Sequence, residues 1–240
     1  MPLTAQTSST SYSFWISPIP ERWGDYSVVT IDPNDGMTFW TVQEYCNANN
    51  SWGVRVIQLL APPPATPAAC LPAAALIGAT NVSIIVIGTS LNGSGFFDPG
   101  PDFTNHISAT FNDPAITVNS VSYTDPAHVT LSVSILAGAT NGNRTLTITN
   151  PDGQTVTSAP GILNLTNQPI IESITDSGNS ATITWYALAG KSYRVQYKPN
   201  LNATVWINLS GDVTATSGLA SKIDPFGSAT ERYYQVILLP

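Results

Sequence analysis

The sequence predicts an all-β chain, a small antiparallel sheet followed by two β-sandwiches, and three stretches carry that expectation. Val129, Leu131, Val133 and Ile135 alternate with Thr130, Ser132 and Ser134. Thr145-Leu146-Thr147-Ile148-Thr149 alternates in the same way, meets the turn composition Asn150-Pro151-Asp152-Gly153, and continues into Gln154-Thr155-Val156 as a hairpin. Ala181, Ile183 and Trp185 alternate with Thr182 and Thr184, and Tyr193, Val195 and Tyr197 with Arg194 and Gln196. A period of two gives one buried face and one wet face, the signature of sandwich strands.

Composition narrows the function classes. A chain of 240 residues holds one large domain or two to three small ones. Only 10% of the residues are charged, against about 25% in ordinary soluble domains. Ser, Thr and Asn carry the polarity instead, and such a weakly hydrated surface is compatible with close self-association. A net charge of -7 with no basic stripe argues against nucleic acid as a partner. The longest apolar stretch, residues 73–88, is interrupted by Gly78, Thr80, Asn81 and Ser83, so no membrane insertion is expected. The N-terminus lacks the basic region and apolar core of a signal peptide. The charge-poor, threonine-rich composition nevertheless points to an extracellular or cell-surface location, with the chain as a mature form or a piece of a longer polypeptide.

Taken in order, residues 1–61 form the first module. A polar start leads to Tyr12, Phe14 and Ile16, alternating with Ser11, Ser13 and Trp15 as a short strand. Three more β-prone runs follow, at residues 22–33, 38–45 and 52–60, with a turn at Asn34-Asp35-Gly36 between the first two. Pro62-Pro63-Pro64-Ala65-Thr66-Pro67 and the alanines behind it read as a Pro/Ala-rich linker over residues 62–75. Residues 76–166 make the first sandwich. Residues 167–240 make the second, closing on Arg232-Tyr233-Tyr234-Gln235-Val236.

Each module resembles a known family. Arg22-Trp23-Gly24-Asp25-Tyr26-Ser27, then Asp32-Pro33-Asn34-Asp35-Gly36, then Thr38-Phe39-Trp40 with Glu44-Tyr45, then Trp52-Gly53 with Arg55-Val56 resembles the closing blade of sialidase-like β-propellers in secreted bacterial proteins. A propeller needs several blades. One alone leaves sheet edges that call for a partner. Gly142-Asn143-Arg144-Thr145-Leu146-Thr147-Ile148-Thr149-Asn150-Pro151-Asp152-Gly153 resembles the IPT/TIG family of immunoglobulin-like domains. This implies a spacer or interaction module. Residues 181–185, 191–198 and 232–236 are similar to a fibronectin type III domain. Both sandwiches are therefore expected to be immunoglobulin-like, as in exported bacterial surface proteins.

No catalytic constellation, metal site or cofactor emerges. His106 and His128 are the sole imidazoles, far in sequence from any nucleophile elbow, and read as surface histidines. Asp25, Asp32 and Asp35, and again Asp98 and Asp102, could offer oxygens to calcium, but Asp-Pro-Asn-Asp-Gly is also an ordinary turn. Trp15, Trp23, Trp40 and Trp52 crowd the first module as core residues or as platforms for sugars. Seven Asn-x-Ser/Thr sequons occur in a chain rich in those residues. In an exported protein Cys46 and Cys70 are expected to form a disulfide; the other reading is two buried free thiols.

The functional expectation is a non-catalytic structural surface protein, a self-assembling filament subunit or adhesive stalk. Its subunits would pair through the strand of Tyr12, Phe14 and Ile16, joined head to tail. The alternative is the C-terminal accessory region of a secreted sialidase- or glycosidase-like enzyme that binds carbohydrate or a surface. A homo-oligomer or filament is the expected partner state, with cell-surface polysaccharide as a further ligand.

Overall fold

A computed structural model describes residues 4, 6–13, 24, 27–227 and 231–240. Every regular element among them is a β-strand. No helix of the described residues is long and apolar enough to cross a membrane. The strands group into one small sheet and two sandwiches, as the alternation pattern predicts.

The first sheet is formed by β1 (Val28–Ile31), β2 (Phe39–Ala48) and β3 (Ser51–Leu59), antiparallel in the order β1-β2-β3. The β1–β2 connection is built by aspartates. Asp32 Oδ1 accepts the Asn34 amide at 2.9 Å, and Asp35 Oδ1 accepts the Met37 and Thr38 amides at 2.8 and 2.9 Å. Gly36 turns the chain with φ of 68°, a region that a side chain would strain.

The first sandwich runs through β4 (Thr66–Leu71), β5 (Ala74–Leu76), β6 (Val82–Thr89), β7 (Ser108–Phe111), β8 (Ile116–Asp125), β9 (His128–Ile135), β10 (Gly142–Arg144), β11 (Leu146–Thr149), β12 (Thr155–Thr157) and β13 (Leu163–Thr166). Its sheets are β4-β6-β9-β8, β12-β11-β7 and β10-β13-β5. The inward residues of the diagnostic strands, among them Val129, Leu131, Val133, Leu146 and Ile148, are fully buried in one core. Gly88 on β6 has no room for a side chain: a Cβ would lie 2.7 Å from the buried Phe96 ring and 2.8 Å from Ala65.

Strand β4 and the start of β5 lie within the stretch read from sequence as a linker. Proline misleads there because Pro67 sits on an edge strand at a register shift between Pro67 and Ala69, where its missing N–H costs no ladder bond. Pro64, Ala65 and Pro67 are buried, and β5 pairs in parallel with β13. The polyproline run thus leads directly into the first sandwich.

The second sandwich comprises β14 (Ile170–Asp176), β15 (Ala181–Tyr186), β16 (Ser192–Lys198), β17 (Ile207–Asn208), β18 (Val213–Thr214), β19 (Leu219–Asp224) and β20 (Tyr233–Leu238). Sheet β14-β15-β19 faces a second sheet in which β16 pairs with β17, β18 and β20. Trp185 and Tyr193 anchor its core with ring centroids 5.9 Å apart, and the Leu188 amide donates to the Tyr193 hydroxyl at 2.7 Å. Asp224, almost fully buried, accepts from Arg232 and, at 2.9 Å, from the Tyr234 hydroxyl. Arg232 lies 3.9 Å from the Tyr197 ring centroid, so the closing strand is fixed by charge and stacking together.

Candidate functional site

Among the described residues the small sheet carries exposed apolar side chains on all three strands. Neither hydrophobic core includes a residue of it. The register places Val28, Val42 and Val56 in one row across the three strands, with Trp40, Val54 and Trp52 on the same face. On the opposite face stand Val29, Ile31, Phe39, Ile57 and Leu59, together with Arg55. Most of these side chains are exposed on both faces. Among the described residues β3 pairs on one side alone, with β2. A sheet that is apolar on both faces is the composition of a layer placed between two others, not of a surface sheet with one wet side.

The sheet also touches the first sandwich. Gln154 Nε2 donates to the Ala61 carbonyl at 2.7 Å, and Asn105 Nδ2 to the Asp35 carbonyl at 3.4 Å. Between them runs an apolar cleft of about 570 Å³ lined by Ile31, Phe39, Phe97, Phe103 and Pro62. The polar groups on its wall are already used: Asn150 holds the Gly95 carbonyl and the Phe97 amide, and Asp152 holds the Gln154 amide and side chain. A second cleft of about 560 Å³ separates residues 74–83 of the first sandwich from residues 186–189 and 217–219 of the second, and most of its lining side chains are small.

The residues singled out from sequence fall as follows. Phe14 and Ile16 lie outside the described residues. Tyr12 is half-buried and in no strand. The chain on either side of it is fixed to its own sheet: the Cys46 amide donates to Ser8 Oγ at 3.1 Å, and the Ser13 amide to Asn50 Oδ1 at 2.9 Å.

Cys46 and Cys70 are free buried thiols, so the expected disulfide is not formed. Cys46 sits on β2, opposite Trp52, whereas Cys70 points into the core of the first sandwich. Burial pushes the Cys70 thiol up to about 12, which leaves it a small hydrophobe rather than a nucleophile.

The histidines are held by aspartates in turns, His106 against Asp98 at 3.2 Å and His128 against Asp125 at 2.9 Å. Asp32, Asp98, Asp113 and Asp125 share one device that sequence reading saw only as loop composition. Each precedes a proline, and its Oδ1 accepts the amide two residues on, at 2.8–2.9 Å. The amides of Asn34, Ala115 and Ala127 are the main cause that holds Asp32, Asp113 and Asp125 below the usual carboxylate range. Burial pushes Asp98 the other way, but the Gly100 and Ile107 amides and His106 outweigh it, so it too is lowered. These carboxylates are committed to their own turns. Among the described residues no group of three His, Cys, Asp or Glu side chains converges on a metal position.

No family model matches the chain, and no curated protein matches it. Among solved structures it is similar to SGBP-B of the Bacteroides ovatus mixed-linkage glucan utilization locus, solved with a mixed-linkage heptasaccharide. That likeness has 16% identity over 84% of this chain and 58% of that one, with a TM-score of 0.29. It is also similar to gamma-CGTase from alkalophilic Bacillus clarkii, at 14% identity over 90% of this chain and 30% of that one, with a TM-score of 0.28. The chain thus spans 58% and 30% of the lengths of these structures. At such scores the likeness carries no argument about a site.

Proposed function

We propose that this chain is a non-catalytic structural protein of the extracellular space or cell surface. In this reading its small N-terminal sheet joins it to other subunits, and its two sandwiches serve as a stalk or filament body. The observation that carries the reading is the β1–β3 sheet itself, apolar and exposed on both faces and outside either core. Exposed apolar surface of this kind marks an interaction site. The neutral Ser, Thr and Asn surface supports close approach between subunits. Negative-stain electron microscopy and light scattering of the full chain test it. Particles heavier than the 25.4 kDa monomer, growing with concentration, are expected. A strictly monomeric chain at every concentration contradicts the assembly.

A second reading is favoured by one residue. Trp52, 58% exposed near the hairpin end of the sheet, offers a flat apolar platform of the kind on which a sugar ring stacks. It supports the role of an accessory carbohydrate- or surface-binding region of a secreted sialidase- or glycosidase-like enzyme. Affinity electrophoresis in gels loaded with soluble polysaccharides tests it. Retardation that is lost in Trp52→Ala is the expected result, and unretarded migration in every gel removes this reading.

A further inference from the structure

We propose that the face of the β1–β3 sheet carrying Val28, Val42, Val54 and Val56 docks on the same face of a second copy of this chain, the two sheets stacking about a two-fold axis. The proposal rests on the assembly reading above and names its surface and partner; because a two-fold contact closes with two copies, it pairs stalks and does not by itself extend a filament.

Three observations select this face and this occupant. The first is exposure: Val28, Val54 and Val56 are 52%, 51% and 57% exposed, although their register puts Val28, Val42 and Val56 in one continuous apolar row. Equivalent rows in the first sandwich, such as Ile84 with Leu131 and Val121, lie in or against a shared core.

The second is charge. Among the described residues of β1–β3 the valine face carries one ionisable carboxylate, Glu44, which accepts the Gly24 amide at 3.3 Å. A face with so little charge offers nothing to a charged partner and is complementary to itself, as an isologous contact requires. The opposite face differs. It carries the exposed Arg55, which a two-fold stack would bring towards its own copy, and its Ile31 and Phe39 already line the cleft against the first sandwich.

The third is area. Three strands about 4.8 Å apart, nine to ten residues long in β2 and β3 at about 3.3 Å per residue, give a footprint of roughly 400 Å² per copy. The total of roughly 800 Å² falls below the roughly 1,200 Å² at which stable specific interfaces begin. Such a contact makes a weak, concentration-dependent dimer rather than a permanent one.

Sedimentation velocity of the full chain from about 5 to about 500 μM tests the proposal. The variants are Val56→Lys and Val56→Thr on the valine face and Val29→Lys on the opposite face, each checked for fold by circular dichroism. Val56→Thr keeps the β-branched shape and guards against a lysine variant that fails to fold. The wild type and Val29→Lys are expected to dimerise alike, Val56→Thr several-fold more weakly, and Val56→Lys at least about tenfold more weakly. A wild-type dimer that survives both Val56 substitutions, or that Val29→Lys disrupts as strongly as Val56→Lys, overturns the face while leaving self-assembly standing. A wild type that stays monomeric to the highest concentration overturns both.

Discussion

Arg144 and Asp113 form an ion pair at the end of the first sandwich, with the Arg144 Nε donating to Asp113 Oδ2 at 2.7 Å and Nη2 to the Thr140 carbonyl at 2.7 Å. The guanidinium is nearly buried, with side-chain exposures of 9% for Arg144 and 18% for Asp113. Removing one partner strands a poorly solvated charge. Arg144→Ala is expected to cost about 3 kcal/mol in urea unfolding. The Arg194–Asp212 pair has similarly short contacts of 2.8 Å but is a third exposed, and Arg194→Ala should cost much less than Arg144→Ala. Equal losses in the two variants would show that burial does not set their strength.

Acid should weaken the fold through the Asp-Pro turns. Asp32, Asp98, Asp113 and Asp125 all have folded pKa values below the ordinary 3.8. A depressed carboxylate contributes stability that is fully present above the unfolded value and is lost as pH falls through the folded one. Unfolding free energy is therefore expected to be level from neutral pH to about 5 and to fall below about 4. Asp125→Asn, which keeps an acceptor for the Ala127 amide, should flatten part of that slope. A profile that is level down to the most acid conditions would exclude the turns as its source.

Thiol chemistry separates the two readings of the cysteines. With Cys46 and Cys70 free and buried, the native chain should react slowly with Ellman's reagent. The same protein, unfolded without reductant, should release the signal of both thiols. Two thiols that stay silent after unfolding would mean a disulfide.

The alternation at 129–135, 145–149 and 181–185 made the sandwiches legible, because each of those strands has one buried face and nothing else gives a period of two. The linker misled for a physical reason: Pro67 fits an edge strand at a register shift, and sequence alone does not say which strands are edges. The disulfide expectation rested on compartment, whereas the position of Cys70 is decided by packing among Ile84, Val86 and Leu131. The small sheet was visible as β-prone runs, but its defining property was hidden. Among the described residues no second sheet stacks on it, and no local pattern encodes that. The Asp-Pro turns were legible as composition, and only the geometry shows that their carboxylates are committed to neighbouring amides.

Hydrogen–deuterium exchange of the full chain at low and high concentration tests the joining role of the sheet most directly. If subunits meet through it, amides of β2 and β3, residues 39–59, should gain protection as concentration rises, while those of β9 in the sandwich core stay unchanged. Protection in residues 39–59 that does not depend on concentration, or gains confined to the sandwiches, would contradict the account.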